Sequence, residues 1–508
     1  MAPESSTRPL LAMENDDRVP VLLPLSSSSG ASSGAQGLTS TQTKDVHAAT
    51  WLPDELLQLF QLAGPMILVS LLQFLITVVS LMFVGHLGEL ELSGSSIAST
   101  FAVVTGPNIM MGMACAVETL CGQAYGAKEY RLTGIFLQRA VFVLTLVGIP
   151  ISIVWWNMAP ILKLMGQDPA ISDVAQEYSR YLVPILFAYA FLQPMVKFLQ
   201  TQSVVNAMAV FSVITLIVHA LLCYLLIYPL GVGFRGAAIA NGISQWLNVL
   251  FLVLYIKFSP SCKKTWRGLS MEAVEDIYPF LQIAVPSAIM FCLKFCCFNS
   301  LVLISGLLPN PQLETSTLAI CLSILGIMYS MPFGLSAAVS TLVSNKVGAG
   351  LPFEAKAAVN LTVTLALIEG CTLAILLISM RDVFPYLFSS DADVVKYVSS
   401  MVPFVASIAI MDTLQTTLCG VARGCGWQNV GAYISLCAYY VIGIPMALLM
   451  AFYFHLHGYG LWIGMNCGMV TQAFLLSWIT LRLDWQKVAD DAAELVSEAK
   501  SLWKTRIL

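Results

Sequence analysis

Three ionisable side chains lie inside long apolar stretches and are the residues best placed to do chemistry. Asp412, Lys294 and Glu369 are each surrounded in the sequence by mainly apolar residues. A charged residue at the centre of a membrane-spanning helix costs about 2.5–3.5 kcal/mol on insertion scales, so such residues are usually functional. A carboxylate at such a position is a candidate for taking up and releasing protons. We therefore predict that these three residues form an ion-coupling site, in which Glu369 either contacts Lys294 or faces a water-filled cavity.

Amide side chains recur in the same apolar stretches and are candidates for lining a solute cavity through neutral hydrogen bonds. Any one of them alone is more often a bridge between helices, worth about 0.6 kcal/mol on average. The predicted cavity residues are Gln73, Gln193, Asn206, Asn241, Gln245, Asn299 and Gln415.

Two further charged residues are predicted to have structural roles near a loop. Glu118 comes shortly before Gly122, and we expect it to brace the following loop through Lys128 or Arg131. Arg139 follows that loop and is assigned the same structural role.

The elements that must position these residues are membrane-spanning helices. Of the 508 residues, 57% are hydrophobic and 11% charged, against roughly 25% charged in a soluble domain. Many apolar stretches approach the roughly 20 residues that a helix needs to cross a bilayer. They are continuous rather than alternating, which excludes a transmembrane β-barrel. We predict an all-α polytopic membrane protein with twelve spans, near residues 57–84, 93–121, 136–158, 178–199, 204–229, 235–257, 277–305, 316–343, 357–380, 395–418, 430–454 and 459–481.

The ends of the chain differ from these spans. Residues 1–50 are rich in Ser, Pro, Gly and Thr, which predicts a disordered tail. Residues 484–508 are amphipathic and predict a surface helix. Lysine and arginine fall mainly in the tails and in loops on one side of the spans, so both ends are predicted to be cytosolic. The residues assigned to the opposite side are Lys163, Arg180, Arg235, Arg381 and Lys396.

The two halves of the chain repeat each other at an offset of about 222 residues. Val117-Glu118-Thr119-Leu120 is echoed by Val339-Ser340-Thr341-Leu342, and Leu192-Gln193 by Leu414-Gln415. Repeated halves are common in transporters, whose solute and ion sites lie near the midplane. Six spans per repeat preserve orientation, so the repeat is parallel. We predict an N-lobe over residues 51–260 with spans 1–6, and a C-lobe over 261–483 with spans 7–12.

Several function classes are excluded. The net charge of −4 comes without a basic tract, so we predict no nucleic-acid partner. The thirteen cysteines show no paired CxxC spacing, and neither a metal nor a cofactor is predicted. No GxxxxGK[ST] motif and no polar catalytic cluster is found, so energy should come from a gradient and an enzyme is not expected.

Five motifs resemble those of the plant DETOXIFICATION branch of the multidrug and toxic compound extrusion (MATE) family. In order along the chain these are Val84-Gly85-His86-Leu87-Gly88-Glu89-Leu90, Glu118-Thr119-Leu120-Cys121-Gly122-Gln123-Ala124-Tyr125-Gly126-Ala127, Gly348-Ala349-Gly350, Gly420-Val421-Ala422-Arg423-Gly424 and Gly460-Leu461-Trp462-Ile463-Gly464. The resemblance implies two six-helix lobes and export of small organic solutes by alternating access, usually in exchange for protons. It also implies that Asp412 is the acid used for protons in the C-lobe. We expect a monomer in the plasma membrane or the vacuolar membrane.

The sequence departs from the family pattern in the C-lobe. Lys294 stands where the resemblance leads one to expect a glutamate, and Leu342 and Lys346 stand where the family commonly has an arginine and a glutamate. Lys294 is expected to form an ion pair that keeps Asp412 charged. The alternatives are altered proton coupling, an uncoupled facilitator, a preference for anionic or neutral solutes, or loss of transport.

Overall fold

The computed structural model describes residues 40–388 and 391–504, which form helices and turns without a strand among them. Residues 1–39, most of the predicted tail, lie outside the described residues. Residues 40–50 were predicted to be disordered but are helical, since the first helix begins at Ser40. Lys44, Ala48 and Ala49 in this stretch are favourable helix formers.

The N-lobe is built from the first eight helices, numbered here in chain order. They are α1 (Ser40–Gly85), α2 (Glu89–Thr105), α3 (Pro107–Gly126), α4 (Tyr130–Trp156), α5 (Met158–Leu164), α6 (Pro169–Thr201), α7 (Asn206–Ile227) and α8 (Phe234–Phe258). Two short 3-10 turns, Pro260–Cys262 and Met271–Val274, lead to the second lobe.

The C-lobe and the C-terminal segment contain the remaining helices. They are α9 (Ile277–Ser305), α10 (Pro311–Met328), α11 (Ser330–Gly348), α12 (Pro352–Ser379), α13 (Ala392–Cys425), α14 (Gln428–Leu436), α15 (Ile444–Leu448), α16 (His457–Leu481) and α17 (Trp485–Lys504). Two π-helical segments, Cys437–Gly443 and Leu449–Tyr453, connect α14, α15 and the loop that follows.

Two predicted spans are interrupted at equivalent places. The second span breaks at Gly106 between α2 and α3, and the eighth breaks at Tyr329 between α10 and α11. Pro107 begins α3 and has no backbone N–H to continue the hydrogen-bond ladder, which explains the first break. Continuous helices were predicted at both places, although the Gly106-Pro107 pair is a sequence signal for the first interruption.

Eleven helical segments among the described residues are long and apolar enough to cross a membrane. They correspond to predicted spans 1–11. The twelfth, predicted over residues 459–481, is present as the 25-residue helix α16 but is not one of the eleven. Asn466 and Gln472 reduce its apolarity, and Gln472 is buried where it donates to Ser435.

The internal repeat is visible in the packing of the two lobes. In the N-lobe α6 packs against α2, α3, α4 and α8, and in the C-lobe the equivalent helix α13 packs against α10, α11, α12 and α16. Both central helices begin with an aspartate cap: Asp168 accepts hydrogen bonds from Ala170 and Ile171, and Asp391 from Asp393 and Val394. The repeated sequence thus produces the same six-helix arrangement twice.

The lobes meet where equivalent glycines allow close approach. A side chain on Gly126 would collide with the backbone of Asn345, and one on Gly348 would collide with the backbone of Gln123. Each glycine and its contact are related to the other pair by 222 residues. Helices α3 and α11 therefore cross closely here, and a side chain on Gly122 would likewise collide with Ser344.

Candidate functional site

Asp412 and Lys294 form a buried ion pair between the central helix α13 and α9. The Asp412 Oδ1 atom also accepts from Gln415 Nε2 at 2.7 Å and from Thr416 Oγ1 at 3.3 Å. Lys294 Nζ lies 3.2 Å from Thr416 Oγ1. The predicted contact between Lys294 and Asp412 is therefore present, and one carboxylate oxygen is surrounded by donors. Lys294 is thus directed into the protein, at Asp412.

Glu369 belongs to the same region but has no ion-pair partner among the described residues. It lies on α12, which packs against α13. The residue after it, Gly370, lies close to Ile410 of α13. The buried Oε1 atom of Glu369 has no hydrogen-bond partner, and the carboxyl group interacts electrostatically with Asp412. Of the two predicted alternatives, direct contact with Lys294 is not seen.

A second buried ionic cluster lies between the lobes and centres on Glu118. This carboxylate forms ion pairs with Lys197 of α6 and with Arg423 of α13, where Arg423 Nε lies 2.9 Å from Oε2. Gln200 Nε2 lies 3.2 Å from Oε1, and Ser340 Oγ lies 3.0 Å from Oε2. Glu118, Lys197 and Gln200 are 0% exposed and Arg423 is 5% exposed, so the cluster is buried.

The expected partners of Glu118 were wrong. Lys128 and Arg131 follow it in the sequence, but Arg131 pairs with Glu272 at 2.5 Å. Glu118 lies on the inner face of α3, and that face meets the other lobe rather than the loop. Arg139 does hold a loop: its Nη2 atom donates to the Glu272 carbonyl oxygen at 3.1 Å.

Further hydrogen bonds join the lobes near the Glu118 cluster. We call the end of the bundle where they lie the closed end. Thr119 Oγ1 donates to the Arg423 carbonyl oxygen at 2.6 Å, and Asn345 Nδ2 donates to the Thr201 carbonyl oxygen at 3.0 Å. Lys346, where the family resemblance led one to expect a glutamate, pairs with Glu55 of α1 at 2.5 Å. The closed end is thus sealed by polar contacts between backbones and side chains.

Toward the middle of the helices, a cavity of about 340 Å³ opens beyond the Glu118 cluster. This volume lies within the range of roughly 300–1,000 Å³ typical of small-molecule sites. Residues from both lobes line the cavity. Its polar lining residues are Ser70, Gln73, Thr77, Asn108, Gln193, Lys197, Ser212 and Asn248, and its aromatic ones are Phe74, Tyr189, Phe291, Phe295, Tyr329 and Phe333.

Only part of the predicted amide set lines this cavity. Gln73 and Gln193 do so, and Gln245 lies behind them, donating to Gln73 Oε1 at 3.1 Å. Gln415 instead supports Asp412.

Three other predicted amides lie outside the cavity lining. Asn299 donates to the Phe295 carbonyl oxygen of its own helix at 2.7 Å, and Asn206 is exposed at the first turn of α7. Asn241 is half-buried with an unpartnered Oδ1 atom. Sequence cannot tell which face of a uniformly apolar helix meets the cavity.

Sequence reasoning missed Lys197 and Arg423. Lys197 lies in a predicted span, whereas Arg423 follows one and belongs to one of the motifs quoted above. The rule that a charge inside an apolar helix needs a partner applies to cations as well as to acids. Applying it to Lys197 would have indicated a buried anion opposite, and Glu118 is the acid of the N-lobe that fits.

Comparisons with known proteins agree with this architecture. The MatE family profile matches residues 65–225 and 286–449, two stretches that begin 221 residues apart. Protein DETOXIFICATION 16 of Arabidopsis thaliana is 50% identical over 441 residues, which cover 87% of this chain and 91% of that protein. Protein DETOXIFICATION 17 of the same plant is 48% identical over 86% of this chain and 92% of its own length. The crystal structure of the eukaryotic MATE transporter AtDTX14 superimposes with a TM-score of 0.85 at 45% identity, covering 87% of this chain and 99% of that one.

Proposed function

The chain belongs to the MATE family, and from that premise we propose that it exports small organic solutes in exchange for protons. Family membership makes it a multi-pass membrane transporter rather than an enzyme. The exchange with protons is the further step. The observation that carries it is the group of ionisable residues inside the C-lobe, Lys294, Asp412 and Glu369.

These three residues suit proton exchange because they combine a buried ion pair with an acid whose hydrogen bonding is incomplete. Asp412 is held by Lys294, Gln415 and Thr416, whereas Glu369 keeps a buried oxygen without a hydrogen-bond partner. A proton is the simplest partner that this oxygen can gain. Its arrival removes a negative charge beside Asp412 and so changes the electrostatic balance around the ion pair that joins α9 to α13.

We also propose a direction for the transport cycle. If both chain ends are cytosolic, as the distribution of lysine and arginine indicates, the closed end faces the cytosol. The cavity then belongs to a state in which the cytosolic path is shut. Opening that path requires the Glu118 cluster and the glycine contacts of α3 and α11 to separate.

A second candidate is an uncoupled facilitator built on the same frame. It is favoured by the Lys294–Asp412 pair itself, since a carboxylate surrounded by an ammonium and two further donors has little need of a proton. Solute would then pass through the same cavity down its own gradient.

Transport in proteoliposomes with an imposed pH gradient separates the two candidates. We expect the gradient to accelerate solute flux at least tenfold in the wild type, and we expect Asp412→Asn and Glu369→Gln to remove this acceleration. Asp393→Asn, an exposed acid near the start of the same helix α13, is the matched control and should behave as wild type. Flux that ignores the gradient in the wild type but depends on it in Lys294→Glu would establish the facilitator instead.

A further inference from the structure

One wall of the cavity is a continuous series of aromatic rings. The centroids of Phe291 and Phe295 lie 5.0 Å apart, those of Phe295 and Tyr329 lie 5.6 Å apart, and those of Tyr329 and Phe333 lie 5.8 Å apart. All four side chains line the cavity. Such a wall offers a large stacking surface to a flat aromatic solute.

Two rings of this wall already have a cation against one face. Lys294 Nζ lies 4.4 Å from the centroid of the Tyr329 ring, and Lys197 Nζ lies 5.2 Å from the centroid of the Phe333 ring. The negative face of an aromatic ring attracts a cation. Here the protein's own ammonium groups already occupy one face of each of these two rings, so those faces are not available to a second cation.

The cavity offers no compensating negative charge among its described lining residues. Lys197 is their only charged side chain, and none of them is Asp or Glu. The carboxylates of Glu118 and Asp412 are buried and directed at the two lysines. Moving an organic cation from water into such a site carries a desolvation cost without an ion pair to offset it.

The rest of the lining contains several amides and presents a free donor. Asn108 lines the cavity, and its buried Nδ2 atom has no hydrogen-bond partner. An unpartnered buried donor is costly unless a ligand accepts its hydrogen bond. A hydroxyl, carbonyl or carboxylate oxygen on the solute would do so.

We propose that the cavity binds flat aromatic solutes that carry oxygen acceptors and no positive charge, and that it discriminates against organic cations. The proposal rests on the export function given above, because it assigns the solute class of the same cavity. The aromatic wall stacks the ring system and Asn108 donates to an oxygen, while the described lining residues offer a cation no carboxylate.

Binding to the purified full-length protein tests this without any gradient. The probes are a hydroxylated coumarin and two derivatives of the same ring system, one bearing a carboxylate and one a trimethylammonium group. We expect the hydroxylated and carboxylated compounds to bind at least tenfold more tightly than the cationic one. Asn108→Ala should weaken binding of both, whereas Asn206→Ala, an exposed amide outside the cavity, should leave the affinities unchanged.

Equal or tighter binding of the trimethylammonium compound overturns the proposal, as does a failure of the hydroxylated compound to bind. The wild-type comparison needs no variant, so a misfolded substitution cannot obscure it. If this order of affinities holds but transport ignores the pH gradient, only the proton exchange is wrong. If cations bind best and their transport follows the gradient, only the solute class is wrong.

Discussion

At the scale of single residues, the Glu118 cluster concentrates the electrostatics of the closed end. One carboxylate without solvent exposure faces two cations from different lobes, Lys197 and Arg423. Removing one partner from a buried ion pair costs about 3–5 kcal/mol, because the remaining charge is left uncompensated in a low-dielectric site. The cluster therefore holds the lobes together only while every member keeps its charge.

Glu118→Gln is expected to loosen the closed end, because the amide leaves Lys197 and Arg423 without a counter-charge. Cys115, nearly one helical turn from Glu118 and 2% exposed, reports this opening. In a variant that keeps Cys115 as its single cysteine, we expect the rate of maleimide labelling to rise at least tenfold, equivalent to about 1.4 kcal/mol or more. Glu89→Gln, an exposed acid on the other half of the same span, should leave the rate unchanged. Equal rates in the Glu118 variant would show that the cluster does not keep the lobes closed.

Among the residues, sequence reasoning was most successful where two charges had only each other as partners. Lys294 and Asp412 are 118 residues apart, yet each is a rare charge in an apolar helix, and their contact was predicted. The partners of Glu118 were not predicted, because nearby cations in the sequence were preferred to distant ones. The packing of the two lobes decides which helix faces meet. The sequence of a uniformly apolar helix does not show which face that is.

At the scale of elements, the C-terminal helix α17 contacts both lobes at the closed end. Trp485, Val488 and Ala492 on its first half pack with residues of α11 and α12 in the C-lobe. On its second half, Val496 belongs to the main apolar core of the N-lobe, and Lys500 pairs with Glu129 in the loop after α3. Its amphipathic pattern predicted a surface helix, and the structure adds that its apolar face packs on protein.

Because α17 bridges the lobes, reversing the charge at one end of it should loosen the closed end. The pair formed by Lys500 and Glu129 is partly exposed and worth at most about 1 kcal/mol. We expect Lys500→Glu to accelerate labelling of Cys425, which packs in the same apolar cluster as Trp485, by up to about fivefold.

Two controls make this a test of the ion pair. Adding Glu129→Lys to Lys500→Glu restores opposite charges and should restore slow labelling of Cys425. Lys487→Glu changes an exposed lysine on the same helix and should have no effect. If the double variant labels as fast as Lys500→Glu, the contact between α17 and the N-lobe does not restrain the closed end.

The elements themselves were largely predictable. All twelve predicted spans are helical, because a backbone in a bilayer must satisfy its hydrogen bonds within the helix. The interruptions at Gly106 and Tyr329 and the docking of α17 were not predicted. Apolarity alone does not show them: Pro107 marks the first interruption locally, and the docking of α17 depends on tertiary contacts.

At the scale of the whole molecule, the repeat explains both the fold and the place of the site. The same motif pairs, 222 residues apart, form the close contacts of α3 with α11 at the closed end. The two lobes nevertheless differ in charge: Lys294 of the C-lobe corresponds to Gln73 of the N-lobe, and Lys197 of the N-lobe corresponds to Cys419. A symmetric frame thus holds an asymmetric set of charges, with the group of Lys294, Asp412 and Glu369 in one lobe only.

The central claim is that solute and protons move through this frame in opposite directions, and proton movement driven by solute tests it most directly. Proteoliposomes holding a pH-sensitive dye start at equal pH on both sides, and solute is added outside. We predict that the wild type couples solute entry to proton exit, so that the interior becomes alkaline, and that Asp412→Asn abolishes the signal. Solute entry at the same rate without any change of internal pH would contradict the account.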